Sequence, residues 1–191
     1  MVKWIDQTYK VKKVNILGWS WGTITTSWFA AKYPELVNRL VLLSPIYHGF
    51  GVPAPTKNYQ PFDLKSTEDD FPKIAGTDQV DFNKIDKRVV NTYLQEVQAV
   101  DGAGSPNGGR KDLSQDRSVA LFDPTRLTMP VLVIGGTDDP YIDWNKDIPY
   151  VFSSLPNPVK KLVKMDDAKH ALMLEKNYYQ AFQKDVIEFL Q

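Results

Sequence analysis

Cysteine is absent from the 191 residues, which removes disulfides, thiolate metal sites and a cysteine nucleophile together. Histidine is scarce: His48 and His170 are the two in the chain, too few for a zinc site built from clustered imidazoles. No excess of one charge exists either, with Lys+Arg and Asp+Glu balanced at 23 each. Without a long run of one sign, the chain has no electrostatic footprint for nucleic acid or for an anionic membrane surface. No apolar run approaches the length of a membrane span, and the amino-terminal MVKWIDQTYKVKK lacks the apolar centre of a signal peptide. The chain therefore reads as soluble, and the absence of cysteine is compatible with a reducing compartment, which favours the cytoplasm without fixing the location. The acidic pairs Asp69-Asp70, Asp138-Asp139 and Asp166-Asp167 lack the ligand spacing of a calcium loop, and no phosphate-cradling glycine motif follows a strand-like run. No cofactor and no metal are expected.

The residues present are enough for one globular core, 42% hydrophobic and 12% aromatic. The central stretch is Val11 to Thr26, VKKVNILGWSWGTITT. Val14, Ile16 and Leu17 make a short apolar run that stops at Gly18, and after Gly22 the pattern becomes helical. Gly18-Trp19-Ser20-Trp21-Gly22 fits the G-x-S-x-G turn, in which serine sits in strained backbone and side chains on either side must be absent for strand and helix to close up. Such a turn holds the hydroxyl at the carboxyl end of a strand, above a helix amino terminus whose N–H groups favour a developing oxyanion. The plain alternative is a serine-containing turn.

Around this stretch the chain reads as strand and helix in alternation. Val2, Ile5 and Tyr9 recur at helical spacing ahead of a strand at Lys13 to Leu17. Ile24, Trp28, Phe29 and Ala31 suit a helix packed on a sheet and ending near Tyr33-Pro34. Arg39 to Ser44 is a second buried strand, Val131 to Ile134 a third and Lys160 to Met165 a fourth, with a helix over Asp147 to Leu155 and a closing helix from Leu174 onward. Fully apolar strands joined through helices imply a parallel sheet covered on both faces. Between the second and third strands lies a long excursion with one clear helical pattern, Asp86 to Val100, and a loop-like Asp101 to Arg110.

A serine hydroxyl needs a base to activate it and an acid to fix that base's tautomer. Of the two histidines, His170 follows a strand and precedes an apolar helix, and it is favoured over His48. For the acid, Asp138 and Asp139 compete, with Asp143 an outside candidate. Asp-Asp-Pro alone is ordinary turn chemistry.

The serine turn and the segments after it resemble the α/β-hydrolase family, in the order Ser, Asp, His. Ala168-Lys169-His170-Ala171-Leu172 resembles the segment that carries the family's catalytic histidine, and Gly136-Thr137-Asp138-Asp139 resembles its G-x-x-D turn, which selects Asp139. The resemblance implies a mostly parallel α/β sheet flanked by helices, with a core at 1–46 and 123–191 and a cap insertion at 47–122. It implies acyl transfer by a Ser20, His170, Asp139 triad on a small-molecule ester or related acyl substrate, with the backbone N–H of Trp21 as one oxyanion donor. Trp19 and Tyr47 become candidates for lining the substrate pocket. The cap would act on substrate choice through Tyr47, Phe50, Tyr59, Phe62, Phe71 and Tyr93, unless these aromatics form only the excursion's own small core.

The chain also departs from the family. No strand-like segment precedes Lys13, and no His-Gly that would supply a second oxyanion donor stands upstream of Ser20. The strand at Val14 to Leu17, central in the family's sheet, is expected here as an exposed apolar edge. Three accounts of this are open: the chain is the carboxyl-terminal portion of a larger hydrolase, a homo-oligomer pairing edge to edge, or a reduced homologue. The first is favoured, and a hydrolase-derived binding module is the rival in function. Loss of one oxyanion donor typically costs on the order of 10²–10³ in kcat, so weak activity is the expectation for this chain alone.

Overall fold

Residues 2–61 and 64–191 are described by the computed structural model of the chain. Phe62, one of the excursion's aromatics, lies outside them. In chain order, helix α1 (Val2–Tyr9) leads into strand β1 (Val14–Trp19), helix α2 (Trp21–Lys32) and strand β2 (Val37–Leu43). The excursion comes next, with the two-residue strand β3 (Tyr59–Gln60), the short helix α3 (Leu64–Glu68), the long helix α4 (Lys87–Asp101), the two-residue strand β4 (Ser105–Pro106) and helix α5 (Gly108–Leu113). The chain returns through β5 (Val131–Gly136), α6 (Asp147–Ser154), β6 (Lys160–Met165) and α7 (Tyr179–Leu190).

The four long strands form one parallel sheet in the order β1-β2-β5-β6. Parallel strands need a crossover, and the helices between them supply it while covering the faces. Alternation within β2 shows the two-sided burial: Leu40 and Leu42 join a core with Val131, Val133, Ile148 and Val151, whereas Val41 and Leu43 join one with Leu132, Ile134, Leu172 and Phe189. β5 is buried along its whole length. β1 is not. It has a neighbour on one side among the described residues, and Leu17 on it is 42% exposed, as expected of an apolar edge. Val14, Ile16 and Leu17 line an open apolar groove there together with Val2, Ile5 and Phe29.

The structure corrects two local expectations. Spacing alone puts Trp28 on the packed face of α2, yet it is 67% exposed, and Thr23, Ile24, Ser27 and Ala30 are the buried positions. Small residues on that face let the helix lie close to the sheet, and Trp28 is pushed to the rim, where its indole N–H donates to the Leu121 carbonyl at 2.6 Å. The stretch from Asp101 to Arg110 is not a plain loop, since Ser105 and Pro106 pair antiparallel with Gln60 and Tyr59 and α5 starts at Gly108. Within the excursion Phe71 is fully buried beside Val80, Ile85 and Val90, with Tyr93 edge-on at 5.8 Å. Tyr59 is exposed, and Phe50 stacks on Tyr141 at 5.9 Å. Among the described residues no helix is long and apolar enough to cross a membrane.

Candidate active site

All the residues in question lie on loops leaving the carboxyl ends of the parallel strands, where an open α/β sheet collects its functional groups. Ser20 follows β1 directly and caps α2 with φ 56° and ψ −128°. A non-glycine residue with positive φ is strained by about 1–3 kcal/mol and persists only where its surroundings enforce it. Here they do. The Ser20 N–H donates to the Leu43 carbonyl at 3.1 Å, extending the β1–β2 ladder into the turn, and the Ser20 carbonyl accepts from the Thr23 N–H at 2.9 Å and the Thr23 hydroxyl at 2.6 Å.

The two flanking glycines are unequal. A Cβ on Gly18 would stand 2.3 Å from Thr26 Oγ1 and 2.6 Å from the Gly22 carbonyl oxygen, so β1 and α2 touch there. A Cβ on Gly22 would meet nothing within 4 Å. The requirement for a missing side chain on both sides of the serine is thus met sterically at Gly18 alone.

His170 and Asp139 form a buried pair. Nδ1 of His170 lies 2.7 Å from Asp139 Oδ2, and the two residues are 1% and 5% exposed. The other carboxylate oxygen of Asp139 accepts from the Tyr141 N–H at 2.9 Å. With an ionised Asp139 the shared proton sits on Nδ1, leaving Nε2 free to accept one. Asp138, the competing acid, faces outward and pairs with Lys169 at 2.8 Å. Asp143 caps the turn before α6 by accepting from the N–H groups of Asn145 and Lys146. His48 has its own partner, Asp147 at 2.8 Å, beside Tyr47.

Two close approaches lock the acid and base loops together. The Asp138 N–H donates to the Ala168 carbonyl at 3.0 Å, and the Asp167 N–H to Thr137 Oγ1 at 2.8 Å. Gly136 passes so near that a Cβ on it would fall 2.0 Å from the Ala168 carbonyl oxygen.

Trp19 joins this pair to the serine turn. Its indole N–H donates to the His170 carbonyl at 3.0 Å, and its ring lies 5.4 Å from the imidazole. The structure therefore brings the Ser20 turn and the His170–Asp139 pair to one place, although among the described residues the Ser20 hydroxyl does not hydrogen-bond to the imidazole. Such contacts are commonly long in a ligand-free site and tighten with substrate. Trp21 opens α2, where the first N–H groups of a helix lack helical partners; its side chain turns away, its indole N–H donating to Asp112 at 2.9 Å. Tyr47 is placed elsewhere, in the sheet core against Phe122 and Tyr150, both at 5.4 Å. Burial and the Tyr150 hydroxyl push its phenol up to about 12, as for a neutral packing residue.

Sequence reasoning missed two acids. Asp70, in the excursion, accepts from the Ala171 N–H through its carbonyl at 3.1 Å. Glu175 is 1% exposed and takes the Lys169 N–H on Oε1 at 2.7 Å, so it braces the residue before His170. Neither lies in a motif, and burial by segments distant in sequence gives both their character. Desolvation raises the Glu175 carboxyl from its ordinary 4.5, against the Lys169 backbone bond and the charges of Lys84 and Lys169. A carboxyl whose folded pKa is raised contributes less stability as pH climbs from the unfolded value through the folded one. Glu175→Gln is accordingly expected to gain stability relative to wild type as pH rises from about 4.5, which urea denaturation at several pH values would check; a constant difference would refute the role of its ionisation. Among the described residues no group of three or more His, Cys, Asp or Glu side chains is gathered to hold a metal.

Comparison with known proteins gives a family model described as alpha/beta hydrolase fold, matched by residues 1–86. A monoacylglycerol lipase from Paleococcus ferrophilus is 18% identical with a TM-score of 0.60, and the match covers 99% of this chain and 73% of that one. A bromoperoxidase from Bacillus anthracis is 14% identical with a TM-score of 0.67, over 99% of this chain and 71% of that one. A hydrolase from Pseudomonas aeruginosa is 22% identical with a TM-score of 0.68, over 99% and 69%. No curated protein matches the sequence.

Proposed function

On the premise that the chain has the α/β-hydrolase fold, we propose that it is a serine hydrolase acting on an ester or related acyl substrate. The observation that carries this reading is the buried His170–Asp139 pair, tied through Trp19 to a serine in strained, positive-φ backbone. In the proposed reaction Ser20 Oγ attacks the acyl carbon while His170 Nε2 takes its proton. The imidazolium that forms is held by Asp139. The leaving alcohol takes that proton, and water, deprotonated in turn by His170, releases the acid and frees the serine. The Trp21 N–H is the proposed oxyanion donor, Trp19 lines the acyl side of the site, and Tyr47 acts from behind as packing. Residues 47–122 are proposed as the cap, because the excursion leaves and re-enters the sheet between β2 and β5 and places Asp70 beside His170. A monoacylglycerol lipase and a marine-microorganism esterase share this fold, which supports the substrate class by analogy alone.

A second reading has its own observation. The apolar edge of β1 suits a binding module, or a hydrolase whose sheet is extended there by a further segment or a second copy. Fluorophosphonate labelling of the purified chain, read by intact mass beside Ser20→Ala, separates the two. One adduct on wild type and none on the variant is the expected result. No adduct on wild type, or an adduct that survives in Ser20→Ala, overturns the serine-hydrolase reading, and partner binding that persists in the variant then supports the module.

A further inference from the structure

Asp70 is tied to the His170–Asp139 site through its backbone, and its side chain faces that site. Its carbonyl takes the N–H of Ala171, the residue after His170, at 3.1 Å. Its carboxylate faces the Tyr141 hydroxyl, which favours the ionised form. Tyr141 in turn donates its backbone N–H to Asp139 Oδ1 at 2.9 Å and sets its ring edge-on to the His170 imidazole, 4.7 Å between centroids at 77°. The neighbouring Phe71 is fully buried, so the backbone at Asp70 is anchored. We propose that Asp70 is a positioning residue for the His170–Asp139 pair, acting through Tyr141, and that its ionised carboxylate supplies a second negative charge to the imidazolium formed during acyl transfer. The inference deepens the serine-hydrolase reading and rests on it for its catalytic meaning.

The surrounding charges make the carboxylate's state matter. Desolvation raises it from an ordinary 3.8 to about 6, and Asp139 and Asp69 add to the rise, while His170 and the Tyr141 hydroxyl oppose it. The neighbouring lysines are engaged elsewhere: Lys169 with Asp138 at 2.8 Å, Lys73 with Asp69 at 3.5 Å. Tyr93 on α4 also faces it and is itself raised by burial and by Asp70. Burial and Asp70 push the Tyr141 phenol far above its usual range, so its hydroxyl remains a donor wherever the carboxylate ionises. Below about pH 6 a neutral Asp70 leaves the imidazolium with Asp139 as its charge partner; above it Asp70 adds the second charge.

Two measurements on the full chain test this. The first follows the His170 ring resonances by NMR against pH, assigned by comparison with His48→Gln. Wild type is expected to show an inflection near pH 6 beyond the imidazole's own titration. Asp70→Asn should lose it, Asp70→Glu should restore one, and Tyr141→Phe should move it to higher pH, because the hydroxyl that favours the ionised carboxylate is gone. The second is the pH dependence of the fluorophosphonate labelling rate. Wild type should fall on the acid side more steeply than one proton allows, and Asp70→Asn should follow a one-proton limb with a rate at pH 8 reduced on the order of tenfold. An inflection that persists in Asp70→Asn, or a rate lowered equally at every pH, overturns the proposal in favour of a purely structural role. If wild type is not labelled yet the inflection vanishes in Asp70→Asn, the serine-hydrolase reading fails and the coupling stands. Normal labelling with a persisting inflection fails the coupling alone.

Discussion

Asparagine at position 139 is expected to slow labelling of Ser20 by on the order of 10³–10⁴-fold while leaving the fold intact. The size follows from the geometry of one hydrogen bond. Asp139 Oδ2 accepts from His170 Nδ1 at 2.7 Å in a site where both side chains are almost fully buried. An ionised carboxylate can only accept, so the imidazole proton is fixed on Nδ1 and Nε2 is left free for the role of base proposed above. An amide of the same shape can instead donate to Nδ1, which moves the proton to Nε2 and removes the base without opening a cavity. Asp139→Ala differs, because it leaves a buried imidazole N–H without its partner; there a loss of about 3 kcal/mol in stability should accompany the loss of rate. Labelling rate and urea denaturation on the two variants separate the effects. A wild-type rate in Asp139→Asn would mean that another acid, Asp138 or Asp143, serves the histidine, or that no triad operates.

Gly18→Ala is expected to destabilise the chain by about 3 kcal/mol or more and to abolish labelling, whereas Gly22→Ala should be neutral or stabilising by up to about 1 kcal/mol. At Gly18 the added methyl falls inside the Gly22 carbonyl oxygen, at 2.6 Å, as well as Thr26 Oγ1 at 2.3 Å. The threonine hydroxyl cannot simply swing clear, since it is bonded to the Gly22 carbonyl at 2.8 Å and the Thr23 carbonyl at 3.2 Å. The first turn of α2 must move off β1, and Ser20 sits in the hinge between them. At Gly22 the space is open and the residue is helical, so alanine lowers the entropy of the unfolded chain at no steric cost. Equal stability of the two variants would contradict the close approach at Gly18.

The strands were legible because burial on both faces demands apolar runs, and β2, β5 and the serine turn stand out on that ground alone. The pairing of His170 with Asp139 was legible through their position after strands, helped by a chain with two histidines. α5 was hidden because Asp101 to Arg110 is rich in glycine. The order in that helix comes from far away: the Trp21 indole packs over Gly109 and donates to Asp112. Trp28 was misplaced because periodicity reports an apolar stripe, and on α2 the buried face includes Thr23, Ser27 and Ala30. Asp70 and Glu175 were out of reach for a different reason. A carboxylate's chemistry is set by who buries it, and Tyr141 and Ala171 stand 71 and 101 positions from Asp70 in sequence.

The open edge of β1 also bears on motion. A strand ladder-bonded on one flank frays more readily than one held on both, and the amide of Ser20 is bonded at the far end of that single ladder, to the Leu43 carbonyl. Breathing of the edge therefore loosens the backbone that keeps the serine in its strained rotation, and whatever zips onto the edge stiffens it. Pairing along that edge is therefore expected to slow hydrogen exchange at the Ser20 amide.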